Sequence, residues 1–104
     1  MTNKARLEAQ LTELQKRLRS VERDLAEPLN ADASEQAVEM QDDASLEAQA
    51  ILIHREIASI NRALGRIENG TYGECVRCGG EISASRLEVR PEAALCIDCA
   101  RKEQ

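Results

Sequence analysis

Apolar residues recur along the first quarter of the chain in alternating steps of four and three, at Leu7, Leu11, Leu14, Leu18, Val21 and Leu25. That is the a/d seam of a heptad repeat, and neither Gly nor Pro interrupts Lys4 to Glu27. The pattern predicts one helix over that stretch. It should stop near Pro28, because the residue before a proline is pushed out of the α region. Leu29 to Ala33 then makes a short bend, with Asp32 or Ser34 as N-cap of a second helix running from about Ser34 to Asn69. The second seam is clear at Ile53, Ile57, Ile60, Leu64 and Ile67. It is ragged nearer the bend, where Ala37, Met40, Ala44 and Leu46 break the register. Asn69-Gly70 supplies the stop, with Gly70 able to take the left-handed conformation.

A short connection between two heptad helices predicts an antiparallel hairpin. Folding about residue 30 places Leu25 near the Ala37 region and Leu7 near Ile53, with the second helix longer by about two to three turns at ~1.5 Å per residue. Ile60, Leu64 and Ile67 then need another partner, which Leu87, Val89, Leu95 and Ile97 further along could supply. A seam can also meet another chain, so the heptads alone leave a homo-oligomer open. The Pro28-centred break favours the hairpin, and with it a monomer. The expected fold class is mainly α: an antiparallel two-helix coiled-coil hairpin over 1–69, its acidic tip near 28–37, and a small C-terminal C4 zinc-finger module over 70–104 packed on the hairpin base.

The zinc reading comes from the cysteines. Cys75-x2-Cys78 is followed, after seventeen intervening residues, by Cys96-x2-Cys99, and these are all four cysteines of the chain. Two intervening residues let both sulfurs of a knuckle face one ion, and two knuckles complete a tetrahedral S4 shell. Disulfides are the competing reading, but the Met-Thr-Asn-Lys-Ala-Arg start has no apolar h-region to suggest export. In a reducing cytosol, paired CxxC elements are more often metal sites than bridges. A redox CxxC of thioredoxin type expects a βαβ setting absent from this pattern. Four thiolates also suit an iron–sulfur cluster. With zinc the shell is closed, so the expected cofactor is one structural Zn2+ per chain, held by Cys75, Cys78, Cys96 and Cys99.

Composition narrows the class further. The chain has 104 residues, no Trp, no Phe and a single Tyr, Tyr72, which argues against a large globular core. Apolar residues at 42% beside charged residues at 32% are what coiled coils look like. No apolar run, Ala50 to Ile53 included, exceeds five residues, far too short to cross a membrane. The net charge of −5 argues against sequence-independent binding to nucleic acid. From Glu22 to Glu47 nine acids oppose one base, a net of −8, and the remaining 13 bases and 10 acids give +3. One part of the chain is therefore strongly acidic and the rest mildly basic. A cytoplasmic protein is expected. No nucleophile–base pair or paired carboxylate stands out, so the chain reads as a non-enzyme.

The block Gly70-Thr71-Tyr72-Gly73-Glu74-Cys75, Cys78-Gly79, Ile82, Arg86-Leu87-Glu88, Pro91 and Leu95-Cys96-Ile97-Asp98-Cys99 resembles the DksA/TraR family of bacterial zinc-finger proteins. The resemblance continues upstream through the long helix to the bend. It implies a transcription regulator that binds bacterial RNA polymerase directly and does not contact DNA specifically. Family members insert the coiled-coil tip into the polymerase secondary channel, where tip acids alter initiation, often together with ppGpp. An acidic probe would be attracted to a basic, nucleotide-conducting pore.

Two departures matter. The family tip signature is two aspartates three apart, followed by Arg-Ala. The matching stretch here retains Asp32 and Ala37 but has Glu35 and Gln36, which puts regulatory output in doubt more than binding. Asp32 and Glu35 could equally serve only to cap the helix. The family's ppGpp pocket uses two lysines and an arginine. The arginine falls on Arg90, but the lysines fall on Ser59 and Ala100, so ppGpp dependence is expected to be weak or absent. The chain's start close to the first helix and its stop at Gln104 suggest a stand-alone or paralogous regulator. His54 is expected at the boundary of the seam rather than at the metal. Tyr72 is expected between finger and helix, and Arg55, Arg62 and Arg66 on a solvated flank. Two other readings stand beside the regulator: a zinc-stabilised coiled-coil interaction protein, and a thiol redox sensor, each without a polymerase role.

Overall fold

The structure is a computed structural model that describes residues 2–26 and 33–103, with side chains described at 2–26 and 44–103. It is mostly helical. Two long helices, α1 (Asn3–Ala26) and α2 (Ala33–Asn69), are followed by two short ones, α3 (Ala84–Val89) and α4 (Ile97–Lys102). Among the described residues the only β pairing is an isolated bridge between Glu74 and Glu81. Asp32 and the Pro28 bend lie outside the described residues. Glu35 and Ala37 fall on the backbone of α2, but their side chains are outside the description too.

Thr2 caps α1: its Oγ1 accepts from the Ala5 N–H at 3.1 Å, and its carbonyl accepts from Arg6 N–H at 3.0 Å. The heptad seam then divides unequally. Leu7, Leu14 and Val21, seven residues apart, are buried, whereas Leu11, Leu18 and Leu25 are half-buried. On α2 the same holds for Ile53 and Ile60, with Ile57, Leu64 and Ile67 half-buried. Ala63, outside the expected seam, is also fully buried. Among the described residues no polar or charged residue is buried. The helix ends in a Schellman motif as the Asn69-Gly70 pair implies: Gly70 has φ 77°, its N–H donates to Ile67 O, and Thr71 N–H donates to Arg66 O at 2.9 Å.

The chain divides into two compact units, Met1–Leu11 with Ala58–Gln104, and Thr12–Ile57. In the first, the start of α1 lies with the end of α2, as antiparallel helices require, and with the cysteine-bearing region. In the second, α1 contributes Leu14 and Val21 to the buried set, and α2 contributes Ile53. Leu7 falls in the unit that also holds Ile60 and Ala63. At the start of α1, Arg6 donates to Glu88 O at 2.6 Å and ties that turn to the C-terminal region. Of the four finger residues expected to pack on the helices, Leu87 is buried in the finger's own core and Leu95 packs against that core. Val89 is 80% exposed and Ile97 47% exposed. On the short α3, Val89 sits about 200° around from Leu87, so only one of them can face inward.

The buried Leu7 side chain and the open surroundings of Gly65 give opposite expectations. Leu7→Ala should destabilise by about 2–5 kcal/mol. Gly65→Ala should stabilise by up to about 1 kcal/mol, because an added Cβ meets no atom within 4 Å. Urea unfolding at saturating zinc measures both.

Candidate metal centre and the adjoining cleft

The first knuckle is shaped by its backbone. Gly73 and Gly79 take φ of 92° and 76°, which side-chain-bearing residues rarely adopt. Cys75 N–H donates to Gly80 O at 2.7 Å, Gly79 N–H to Cys75 O at 2.9 Å, and Ile82 N–H to Gly73 O at 2.8 Å. Gly80 N–H points at Cys78 Sγ, 3.4 Å away, and a Cβ on Gly80 would stand 3.3 Å from that sulfur. The second knuckle uses the helix instead. Cys96 is the N-cap of α4 and Cys99 lies in its first turn. Val76 N–H, donating to Ala94 O at 2.9 Å, ties the two knuckles together.

These constraints bring Cys75, Cys78, Cys96 and Cys99 together, all four sulfurs within 4.8 Å of one another. No two are joined as a disulfide. With zinc–sulfur bonds of about 2.3 Å, a regular tetrahedron has S–S edges of roughly 3.8 Å. Cys78 Sγ and Cys96 Sγ are 3.8 Å apart. The donor set therefore fits the ion. Cys75 and Cys99 are buried, Cys96 is half-buried, and Cys78 is exposed. Without metal the thiols differ sharply. Backbone N–H groups, Cys78's foremost and then Cys96's, pull the Cys75 pKa down to about 6. Hydrogen bonding to Cys96, then burial, pushes Cys99 up to about 12. One sulfur is an anion that neighbouring groups stabilise, and another keeps its proton until a cation displaces it.

The remaining predicted residues scatter. Arg90 is the exposed C-cap of α3. It lines an open cleft of about 230 Å³ that is also lined by Ser59, Arg62, Arg66, Arg86 and Glu92. Ala100 does not line it. His54 is exposed on α2, in the other unit from the cysteines. Tyr72 packs against the finger core and donates to Pro91 O at 2.8 Å. Burial raises its pKa, so the hydroxyl stays a donor.

The sequence did not reveal the work of Arg6, Arg66 and Arg86. Arg66 donates to Glu92 O and Ala93 O, each at 3.3 Å, and Arg86 Nε donates to Leu95 O at 2.9 Å. Burial, and then the charge of Arg62, lowers the Arg66 pKa, and its Nε is buried without a partner. Half-burial of three cations around a loop needing acceptors satisfied has no linear sequence signature. Only the Arg86-Leu87-Glu88 motif hinted at one of them.

Residues 3–67 match the DnaK suppressor protein-like N-terminal domain, and residues 70–104 match the prokaryotic dksA/traR C4-type zinc finger. The chain belongs to the DksA/TraR family, a family of transcription factors and not of enzymes. The RNA polymerase-binding transcription factor DksA of Escherichia coli K12 is 49% identical over 43 residues, 41% of this chain and 28% of that protein. Its counterpart in Caulobacter vibrioides NA1000 is 38% identical over 48 residues, 46% of this chain and 34% of that protein. The match thus spans about a third or less of the curated relatives' length. Transcription factor DksA2 of Pseudomonas aeruginosa superposes with a TM-score of 0.84 at 29% identity, covering 97% of this chain and 79% of that one. The DnaK suppressor protein of Agrobacterium tumefaciens C58 gives 0.67 at 36% identity, covering 96% and 89%.

Zinc binding should weaken as pH falls, because ligand sulfurs must be thiolates. Displacing the Cys99 proton contributes about tenfold per pH unit at neutral pH, a lower bound on the slope. Below about pH 6, where Cys75 also protonates, the slope should steepen. Competition with a chromophoric chelator across pH 5–8 measures it, on the order of one assay per half unit.

Proposed function

We propose that this protein is a transcription factor that binds bacterial RNA polymerase directly and inserts an acidic coiled-coil tip into the secondary channel to modulate initiation. The observation that carries the proposal is the family match over both the long helices and the finger, with the DksA2 likeness over 97% of the chain. Charge supports it: the Glu22–Glu47 stretch carries a net of −8 (nine acids, one base), suited to a basic pore. Asp32, Glu35 and Ala37 are the proposed tip contacts. The hairpin (1–69) delivers them, and the finger (70–104) anchors its base. The protein acts as a cytoplasmic monomer on polymerase and reads no DNA sequence. No helix among the described residues is long and apolar enough to cross a membrane.

Zinc here is structural, one ion per chain. Cys75, Cys78, Cys96 and Cys99 would hold it, and four thiolates leave no position for a reacting water. Its contribution is the folding of the finger. ppGpp dependence is weak or absent. Arg66 and Arg86 are committed to backbone carbonyls, and Glu92 adds negative charge to the cleft wall. That leaves chiefly Arg62 and Arg90 to meet a pyrophosphate.

Binding to core polymerase, in competition with a known secondary-channel factor, tests the reading. The wild type should compete, and Asp32→Asn/Glu35→Gln should bind within about threefold but lose most of its effect on transcription. A zinc-loaded protein that does not bind overturns the proposal and leaves a coiled-coil adapter. Adding ppGpp should shift wild-type output by less than about twofold, since two of the three pocket cations are replaced.

A further inference from the structure

Three of the four cysteines take their positions from packing. Cys75 and Cys99 are members of the finger's buried core, and Cys96 packs against it. Cys78 does neither and is exposed. Its sulfur is met instead by a backbone donor, the Gly80 N–H at 3.4 Å. The two glycines that follow Cys78 differ in what each needs. Gly79 has φ 76°, where glycine alone is at ease, but a Cβ there would meet nothing within 4 Å. Gly80 is the reverse. Its φ is not positive, so the backbone does not call for glycine, yet a Cβ would stand 3.3 Å from Cys78 Sγ.

We propose that Gly80 is the positioning residue for the metal's exposed ligand: its N–H orients Cys78 Sγ towards the ion, and its bare Cα leaves the room that a bound sulfur occupies. This role rests on the reading of the four cysteines as a zinc site. Gly80 is not free to back away from the sulfur. Its carbonyl accepts from Cys75 N–H at 2.7 Å, and the next residue, Glu81, is bridged to Glu74. A methyl group on Gly80 must therefore be accommodated by Cys78. A free thiol can do so by turning about its Cα–Cβ bond. A sulfur bonded to the ion cannot, because the other three ligands fix where the ion lies. The clash falls on the loaded state and spares the free one. Hydrogen bonds from outside the shell orient metal ligands, and losing one costs on the order of 10–100-fold in metal affinity.

The full wild-type chain loaded with NMR-active cadmium tests the hydrogen bond without any substitution. The Gly80 amide proton should show a scalar coupling to cadmium, carried through the N–H···Sγ contact with Cys78. The full chain loaded with cobalt(II) tests the space. Gly80→Ala should shift the d–d bands of the cobalt tetrathiolate at saturating metal, and should lose zinc to a chelator about tenfold faster than the wild type. Gly79→Ala, strained but unobstructed, should bind more weakly yet show the wild-type cobalt spectrum at saturation. A wild type without a thiolate-to-cobalt charge-transfer band overturns the zinc reading, and this role with it. With that band present, the role alone is overturned if Gly80 shows no coupling to cadmium, or if Gly80→Ala keeps the wild-type bands and release rate. The cadmium measurement needs no variant, so it decides the matter even where Gly80→Ala fails to fold.

Discussion

The cluster of four sulfurs sets how the C-terminal region can fold at all. Beyond the cysteines, the finger buries Ile82, Leu87, Pro91 and Ala93, with Tyr72 and Leu95 packed against its core. That is too little apolar area to offset the ordering of some thirty residues. A structural zinc site contributes on the order of 10–16 kcal/mol, which is folding free energy where the site does not pre-exist. Cys75 and Cys99 belong to the core as well as to the four-cysteine cluster, so a bound metal and packing would not be separable here. The glycines of the first knuckle and the N-terminus of α4 serve this geometry.

From that point the chain between α3 and α4 becomes the organising surface of its unit. The last turn of α3 and the irregular chain after it leave carbonyls without helical partners, and these need donors. Side chains supply them: Arg6 at Glu88, Tyr72 at Pro91, Arg66 at Glu92 and Ala93, and Arg86 at Leu95. Charged donors make these bonds stronger than neutral ones. They fasten the finger to the start of α1 and the end of α2. Arg66 and Arg86 line the cleft while these carbonyls hold their guanidinium groups.

The two sides of α2 answer to different demands. Its buried side follows the heptad seam shared with α1. Its outer side departs from the polar composition of a solvated helix at Ile51 and Leu52. The acid-rich stretch begins in α1 and runs on into α2, so apolar and acidic character are adjacent along one helix.

The sequence alone determined the class of fold, the helix boundary near Gly70, and which four cysteines come together, because heptad spacing, the Asn-Gly stop and CxxC spacing are local rules. Family membership was legible too, in the finger motif. Only the tertiary structure decided which seam residues are fully buried and that Val89 and Ile97 are exposed. Those outcomes depend on contacts between segments eighty residues apart, such as Arg6 with Glu88. The convergence of Arg62, Arg66, Arg86 and Arg90 on one cleft likewise arises only when the end of α2 meets α3. Local periodicity says which way a side chain points from its own helix. What it meets there is decided by the rest of the chain.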